Sequence, residues 1–521
     1  LDRVAREELA ALPVPLADGR TAHGPAGVLL PDPGLPVDRL GPLGLRLADP
    51  GALDPPAARR LLERLGARPA TAAAVLADPA VRTAVETSMD AVDDALPGAP
   101  QPAELAEAVL ALVGAARPAV GELPWLAELA LPDEDGGWAP AGELVLPGSP
   151  LADVLAPGSL GMLDRDVAAR TDADALRAVG VLDSFAVVRA DDADDLDVDG
   201  AGEWAEAVLD RLPHDALPPE WPPLVAVRDL ELVDDWDRAL PLLAALPAEA
   251  RADVVVGGAP VPSYLRWWLA TRPVLDGVRP DRLRHPASTE LQGLYEPASA
   301  DPVVLELLRP PATVDDVVAD VDGAIDLLDR LGDPARTVRP AVLRTVYARL
   351  AAALDGIDVR PPERVRVAPD RVVADAVVLD APYLQPLVDA PFVPAGGAPG
   401  AVADLLDLPL AGELVRARVT SRPDRRVPWA ELPGAALAAA RLGLSELSGT
   451  VAVHREPVVG GRVVAWWPAA DVDHVDGSPA ALGRALAWRA GVWSARQALA
   501  EAFAFPDRAE ELAAEDAVGE Q

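Results

Sequence analysis

Lysine, asparagine and cysteine are all absent from this chain. The 46 basic residues are therefore all arginine, and histidine is confined to His23, His214, His285, His454 and His474. Each absence removes a chemistry. A P-loop needs a Lys after its glycines to reach the phosphates. A lysine Schiff base, a cysteine nucleophile and a cysteine zinc site are excluded outright. A nucleotide site that holds magnesium through a helical Asn has no Asn to use. The sequence argues first for a chain that performs no covalent chemistry.

Long apolar runs are missing too. No stretch approaches the ~20 apolar residues of a membrane span, and no basic segment precedes an apolar one as in a secretory signal. Aromatic residues make up only 4% of the chain, so Ala, Leu and Val must build the cores. Positive charge is scarce: the net charge is −37. Such a surface repels nucleic acid and anionic membranes, which need Lys and Arg to neutralise phosphate. It favours solubility and a basic protein client or partner. Arg, Ala, Asp, Gly and Pro in place of Lys and Asn is also the composition of a GC-rich genome. The lack of cysteine fits a reducing cytoplasm.

The length of 521 residues favours roughly three or four domains. The 56 prolines and 40 glycines imply frequent turns and short elements. One pattern recurs: an apolar strand, a Gly turn and a second apolar strand. It runs from Val14-Pro15-Leu16 through Gly19 to Val28-Leu29-Leu30-Pro31, and again from Leu129-Ala130-Leu131-Pro132 through Gly136-Gly137 to Leu144-Val145-Leu146-Pro147. A third hairpin is expected at Val254-Val255-Val256 through Gly257-Gly258 to Val261-Pro262. The first two are followed by helices ending at Gly66 and Gly180. The expected fold is α+β and multidomain, with repeated hairpin–helix units, small antiparallel or mixed sheets and a helical C-terminus. The units are placed at 1–115, 116–245, 246–360 and 361–521.

Local signals add detail. Thr171 with Asp174 and Thr313 with Asp316 have the spacing of capping boxes. Val314, Val317, Val318, Val321, Ile325 and Leu328 form one helical stripe. Hairpins are expected about Pro369-Asp370, and about Gly460-Gly461 with Val451 to His454 as one arm. Apolar spacing predicts a long helix over 479–503, with a frayed acidic tail after Glu510. Breaks are expected at 97–102, 213–223, 355–362 and 391–399.

The strongest motif match is Asp195-Leu196-Asp197-Val198-Asp199-Gly200, with Glu206 at the twelfth position. This is calcium-loop spacing: carboxylates at one, three and five, Gly at six and a Glu at twelve. Gly202 at the eighth position and the strand-like segment before the loop depart from the pattern. The alternative is a solvated acidic loop that caps a helix. Twelve tryptophans stand against four Phe and four Tyr, and Trp267-Trp268 and Trp466-Trp467 are adjacent pairs. One indole of each pair is expected in a core, the other at a partner surface or between packed elements. The histidines show no ligand spacing, and His454 and His474 can meet only through the tertiary fold. A two-carboxylate glycosidase needs only Asp or Glu, but no pair is singled out.

A further set of phrases carries a resemblance. They are Pro13-Val14-Pro15-Leu16-Ala17-Asp18-Gly19-Arg20 with Leu29-Leu30-Pro31, Pro124-Trp125-Leu126-Ala127-Glu128-Leu129-Ala130-Leu131-Pro132, residues 140–151 and 176–182, Val261-Pro262-Ser263-Tyr264, residues 333–338 and residues 508–512. On these the chain resembles the later portion of large sacsin-like proteins of GC-rich bacteria. Those proteins carry an amino-terminal ATP-binding domain of the gyrase, heat-shock chaperone and histidine-kinase class. The phrases are structural, not catalytic. That class of nucleotide site needs an acidic-plus-Asn helix, an Asp-x-Gly-x-Gly turn and a Gly-rich lid, and none occurs here. The resemblance implies that ATP and magnesium belong to a domain preceding Leu1, in cis, and that this chain binds clients or partners without a cofactor of its own. A stand-alone interaction scaffold, with calcium at 195–206, is the alternative.

Overall fold

The computed structural model describes residues 9, 11–54, 56–93, 100–212 and 221–518. His214, and parts of the expected breaks at 97–102 and 213–223, lie outside the described residues. The fold is α+β, with many two-stranded sheets and one of four strands. Contacts divide the chain into two compact units, 1–280 with 300–309 and 281–299 with 310–521. The expected unit boundaries after 115, 245 and 360 do not coincide with this division.

The repeated unit is a closed module. In the first copy β1 (Pro13–Pro15) and β2 (Thr21–His23) form an antiparallel hairpin. The next strand, β3 (Leu29–Pro31), pairs in parallel with β4 (Arg68–Ala70), and Leu29 also bridges Leu47 in parallel. Helix α1 (Pro56–Arg64) lies between. Gly66 ends it in the left-handed conformation (φ +104°), and the Ala67 N–H reaches back to the Leu62 carbonyl at 2.9 Å. That is a Schellman ending, which satisfies carbonyls the helix leaves open.

The second copy keeps the same bonds. Helix α2 (Pro102–Ala116) leads to the hairpin β5 (Ala130–Pro132) and β6 (Trp138–Pro140). Then β7 (Leu144–Val145) pairs in parallel with β8 (Gly161–Met162) and, at Val145, with Leu182. Helix α3 (Ala173–Ala178) ends at Gly180 (φ +100°), and Val181 N–H bonds the Leu176 carbonyl at 3.0 Å. The two hairpins are tied to their return segments identically: Ala17 N–H to Leu47 and Asp49 N–H to Pro15, then Glu134 N–H to Met162 and Asp164 N–H to Pro132. α2 is apolar on nearly all sides, with Leu105, Val109, Leu112 and Val113 buried, as a helix inside a core must be. It packs Leu29, Leu47 and Ala70 of the first copy together with the second copy in a core that runs from Leu29 to Val181, while Val14, Leu16, Leu30 and Leu62 form a separate cluster inside the first copy.

Strands β9 (Val187–Ala190) and β10 (Leu224–Val227) pair antiparallel, and the third hairpin, β11 (Val254–Val256) with β12 (Ala259–Val261), forms with Val254 opposite Val261. It runs directly into the helix Tyr264–Thr271, with no central strand between hairpin and helix to be closed in parallel. The third complete module lies at 365–410 instead. There β13 (Val365–Ala368) and β14 (Arg371–Val373) make the hairpin, β15 (Val377–Val378) pairs in parallel with β16 (Phe392–Val393), and Val378 bridges Leu410 in parallel. The intervening helix 399–406 ends at Asp407 (φ +50°), with Leu408 N–H on the Ala403 carbonyl.

Several local expectations shift by a residue or a turn. The Thr313–Asp316 capping box forms. The Thr171–Asp174 box does not: Asp172 caps instead, its carboxylate accepting from the Asp174 N–H. The 314–328 stripe breaks into 314–318 and 321–332 because Asp320 starts a new helix by accepting from the Gly323 N–H. Buried Arg366 closes the far end of that second helix. Its guanidinium donates to the carbonyls of Leu331, Asp333 and Pro369 at 3.1, 2.6 and 2.9 Å.

The last 100 residues contain the largest sheet, in the order β17 (Arg425–Pro428), β18 (Thr450–Val453), β22 (Asp473–Val475) and β21 (Trp466–Trp467). The expected Gly460-Gly461 hairpin is confined to β19 (Val458–Val459) and β20 (Arg462–Val463). β18 is not its arm, because Val451 and Ala452 are fully buried and the strand is paired on both edges. The expected long helix is two helices, α4 (Pro479–Arg489) and α5 (Arg496–Ala504), separated by a turn at Gly491 (φ +71°). The acidic tail does not fray at Glu510: a helix spans Ala509–Val518, Leu512 is buried, and Asp516 pairs with Arg441.

α4 and α5 touch at Gly483, where an added Cβ would lie 2.5 Å from the Ala500 nitrogen and 2.6 Å from the Arg496 carbonyl oxygen. The two backbones cannot keep this spacing with a side chain there. Gly483→Ala is expected to cost about 1–3 kcal/mol, read as a lower urea midpoint with an unchanged slope.

Candidate functional site

In the first unit the acidic run meets an aromatic helix face. The helix Tyr264–Thr271 starts at Ser263, whose hydroxyl accepts from the Arg266 N–H. Tyr264, Trp267, Trp268 and Thr271 follow the i, i+3, i+4, i+7 spacing of one helix face. Tyr264 OH donates to the Asp199 carbonyl at 2.6 Å, and the Trp268 indole N–H donates to Asp199 Oδ2 at 3.0 Å. Trp267 lies on Gly200, where a Cβ would sit 3.4 Å from the ring. Arg272 stands over the Trp268 ring, 3.8 Å from Asp199 and 3.7 Å from Glu203. Buried Trp204 donates to the Pro262 carbonyl and packs edge-on against Tyr264. Burial, then the carboxylates of Asp199 and Glu231, push the Tyr264 phenol well above its usual range.

This geometry revises the metal expectation. Asp195, Asp197, Asp199 and Glu206 do not converge, and among the described residues no group of three or more His, Cys, Asp or Glu is arranged to hold a metal ion. Asp199 is occupied by an indole and approached by a guanidinium. Gly200 (φ +73°) serves as the N-cap of the helix Ala201–Leu209. The aromatic groups clasp Asp199 and Gly200 at the end of the run, while Asp191, Asp192, Asp194, Asp195 and Asp197 are exposed, as in a solvated acidic loop that leads into a helix.

The tryptophan pairs divide as neighbours on an element must. Trp268 is 3% exposed and Trp466 6%, whereas Trp267 and Trp467 are half-buried. In the second unit Tyr383 stands edge-on to Trp466, Trp467 and Trp488, and Trp466 stacks on Trp493. Of the four paired tryptophans, Trp267 and Trp467 are the two that present part of an indole outward.

The same sheet brings His454 and His474 together. Cross-strand register places Trp467, His474, Ala452 and Arg426 in one row, and His454, two residues beyond Ala452, shares that face. His454 Nε2 lies 2.8 Å from His474 Nδ1, and His454 Nδ1 lies 3.0 Å from Ser421 Oγ. The Val458 N–H donates to the same Oγ at 3.0 Å. Burial, in each case the main cause, holds both imidazoles below the usual histidine value, and the positive charge of Arg426 acts the same way. On the other face Asp473 accepts from the Trp429 indole and from Arg489, yet burial pushes its carboxyl up. Ser421, His454 and His474 stand in the order of nucleophile, base and orienting group. However, Ser421 already accepts an amide N–H, and His454 is only 1% exposed.

Two clefts lie elsewhere. One of about 540 Å³ in the second unit is lined by Ile325, Asp329, Gly332 and residues 358–364. One of about 400 Å³ in the first unit lies between residues 113–120 and 172–178. Both mix arginine and carboxylate with Pro and aliphatic groups. Among the described residues no helix is long and apolar enough to cross a membrane.

Sequence reasoning missed Tyr264 and Ser421. Tyr264 had a usable signal, three residues before Trp267 on a helix opened by Ser263. Ser421 had none, since it reaches the histidines only through tertiary packing. No family model, curated protein or solved structure matches the chain.

Removing the Asp199 carboxylate leaves the buried Trp268 N–H without a partner. Asp199→Ala is expected to cost about 1–3 kcal/mol in urea denaturation, and Asp199→Asn, which keeps an acceptor, less. Because Asp199 is already occupied, millimolar calcium is expected to leave the melting temperature unchanged. A bound ion would raise it by mass action.

Proposed function

We propose that this chain is a non-catalytic client- or partner-binding region, assembled from repeated modules, of a sacsin-like ATP-dependent chaperone-type protein whose ATPase lies outside it. The observation that carries this reading is the module itself, repeated three times with the same hairpin, the same parallel closure and the same left-handed helix ending. Each module is closed by its own backbone pairing and packing, so its repetition builds surface for partners rather than a single reaction centre. The phrases on which the resemblance rests support it further. Residues 13–20, 29–31, 124–132, 140–151 and 176–182 all fall within, or lead directly into, the first two modules.

Contact with a client falls to Trp267 and Trp467, since Trp268 and Trp466 are buried. An outward indole edge set in a packed aromatic cluster loses little side-chain freedom on binding. The acidic surface leaves the choice of partner to charge as well: basic clients are favoured.

The test is suppression of aggregation of a heat-unfolded client by the purified chain, with affinity read by fluorescence anisotropy. Trp267→Ala and Trp467→Ala are each expected to weaken capture by about tenfold while circular dichroism stays native. Unchanged capture by both variants would sink the assignment of these surfaces. Immunoblots of source-cell extract are expected to show a polypeptide well above the chain's 54.2 kDa; a species of that mass alone would leave no cis ATPase.

A further inference from the structure

We propose that His454 and His474 form an acid-released clasp, which holds β18, β22 and the segment around Ser421 together until both rings are protonated.

Three separate stretches of chain converge on the pair. Ser421 precedes β17, His454 follows directly on β18, and His474 is the middle residue of β22. The contacts form one line: Val458 N–H to Ser421 Oγ at 3.0 Å, Ser421 Oγ to His454 Nδ1 at 3.0 Å, and His454 Nε2 to His474 Nδ1 at 2.8 Å. The backbone reinforces the line, since His454 N–H donates to the Val475 carbonyl at 2.9 Å. His454 is 1% exposed and His474 9%, so water cannot replace these partners without the sheet opening.

Proton counting gives the switch. The central contact needs one N–H and one lone pair. Two neutral rings supply both. One added proton can sit on an outer nitrogen and leave the central bond intact. A second puts N–H on both nitrogens that face each other, so the bond has no acceptor and two like charges touch. The contact therefore tolerates one extra proton and not two.

The surrounding charges do not rescue the doubly protonated state. Arg426 on β17 shares the face and repels both rings, whereas Asp424 is the carboxylate that favours protonated His454. Arg422 contributes only a backbone hydrogen bond. Asp473, next to His474, faces the other way and is held by Arg489 and Trp429. Trp467, across from His474, carries no charge. Burial outweighs Asp424, so both rings titrate below the free value of about 6.5. In the unfolded chain they take up protons first. The pair's contribution to stability is therefore complete above about pH 6.5 and is lost as the pH falls from there through the lower folded-state values.

The experiment is hydrogen exchange by mass spectrometry on the full chain between pH 7 and 5, corrected for intrinsic exchange. Peptides covering 420–424, 450–459 and 473–476 are expected to lose protection by tenfold or more, while peptides of the first unit do not. His454→Gln/His474→Gln is uncharged in this range and is expected to abolish the difference. Identical pH dependence in wild type and the double variant overturns the proposal. Should the variant not fold, nitrogen chemical shifts of the wild-type histidines decide. Two separated titration steps below the free-histidine value of about 6.5 support the clasp, and ordinary single titrations overturn it.

Discussion

Parallel pairing of one short strand with two later segments is the interaction on which each module depends. Leu29 meets residues 47 and 68, Val145 meets 162 and 182, and Val378 meets 393 and 410. The strands are only two or three residues long, too short to hold a sheet by themselves. The hairpin before each central strand and the helix after it are stable because the return segments close over them. Parallel closure buries the strand on both faces, which is why Leu30, Leu144, Val145 and Val378 are almost fully inaccessible.

The missing residue types shape the packing. With few aromatic groups, the cores bring backbones close, as at Gly483, and fill with Ala, Leu and Val. With arginine as the only long cation, one is used where a neutral donor would be expected. Arg366 is buried against three carbonyls and no carboxylate, so its charge is spread over oxygens that a helix end and a turn would otherwise leave unsatisfied. The tryptophans are concentrated in two places, about Tyr264 and about Tyr383, where they carry the bulk that the aliphatic cores lack.

Much of the fold was legible because its signals are local. The first two modules were visible in their Gly turns, Pro-ended strands and Gly-stopped helices, and the Thr313 capping box was readable from four residues. The third module was hidden because Asp407, not Gly, takes the left-handed ending. The hairpin at 254–261 attracted attention because its turn is glycine-rich, yet its chain goes on into a helix. The division of each tryptophan pair followed from geometry. At the candidate sites, however, spacing misled: Asp195 to Glu206 has the intervals of a metal loop, but the contacts of Asp199 come from a helix some 65 residues later, which no local pattern encodes. Ser421 was invisible for the same reason.

The parallel closure also sets an order in time. During synthesis the hairpin of a module emerges first and can pair at once, but its central strand waits for a first partner some 15 to 18 residues further on and for the second until some 32 to 39 residues have followed it. At ribosomal speeds of about 5–20 residues per second that interval lasts seconds, and throughout it an apolar strand has an open edge. A chain built of several such modules exposes that edge again with each one, so its own synthesis passes through repeated moments in which an unpaired apolar edge can template wrong pairing.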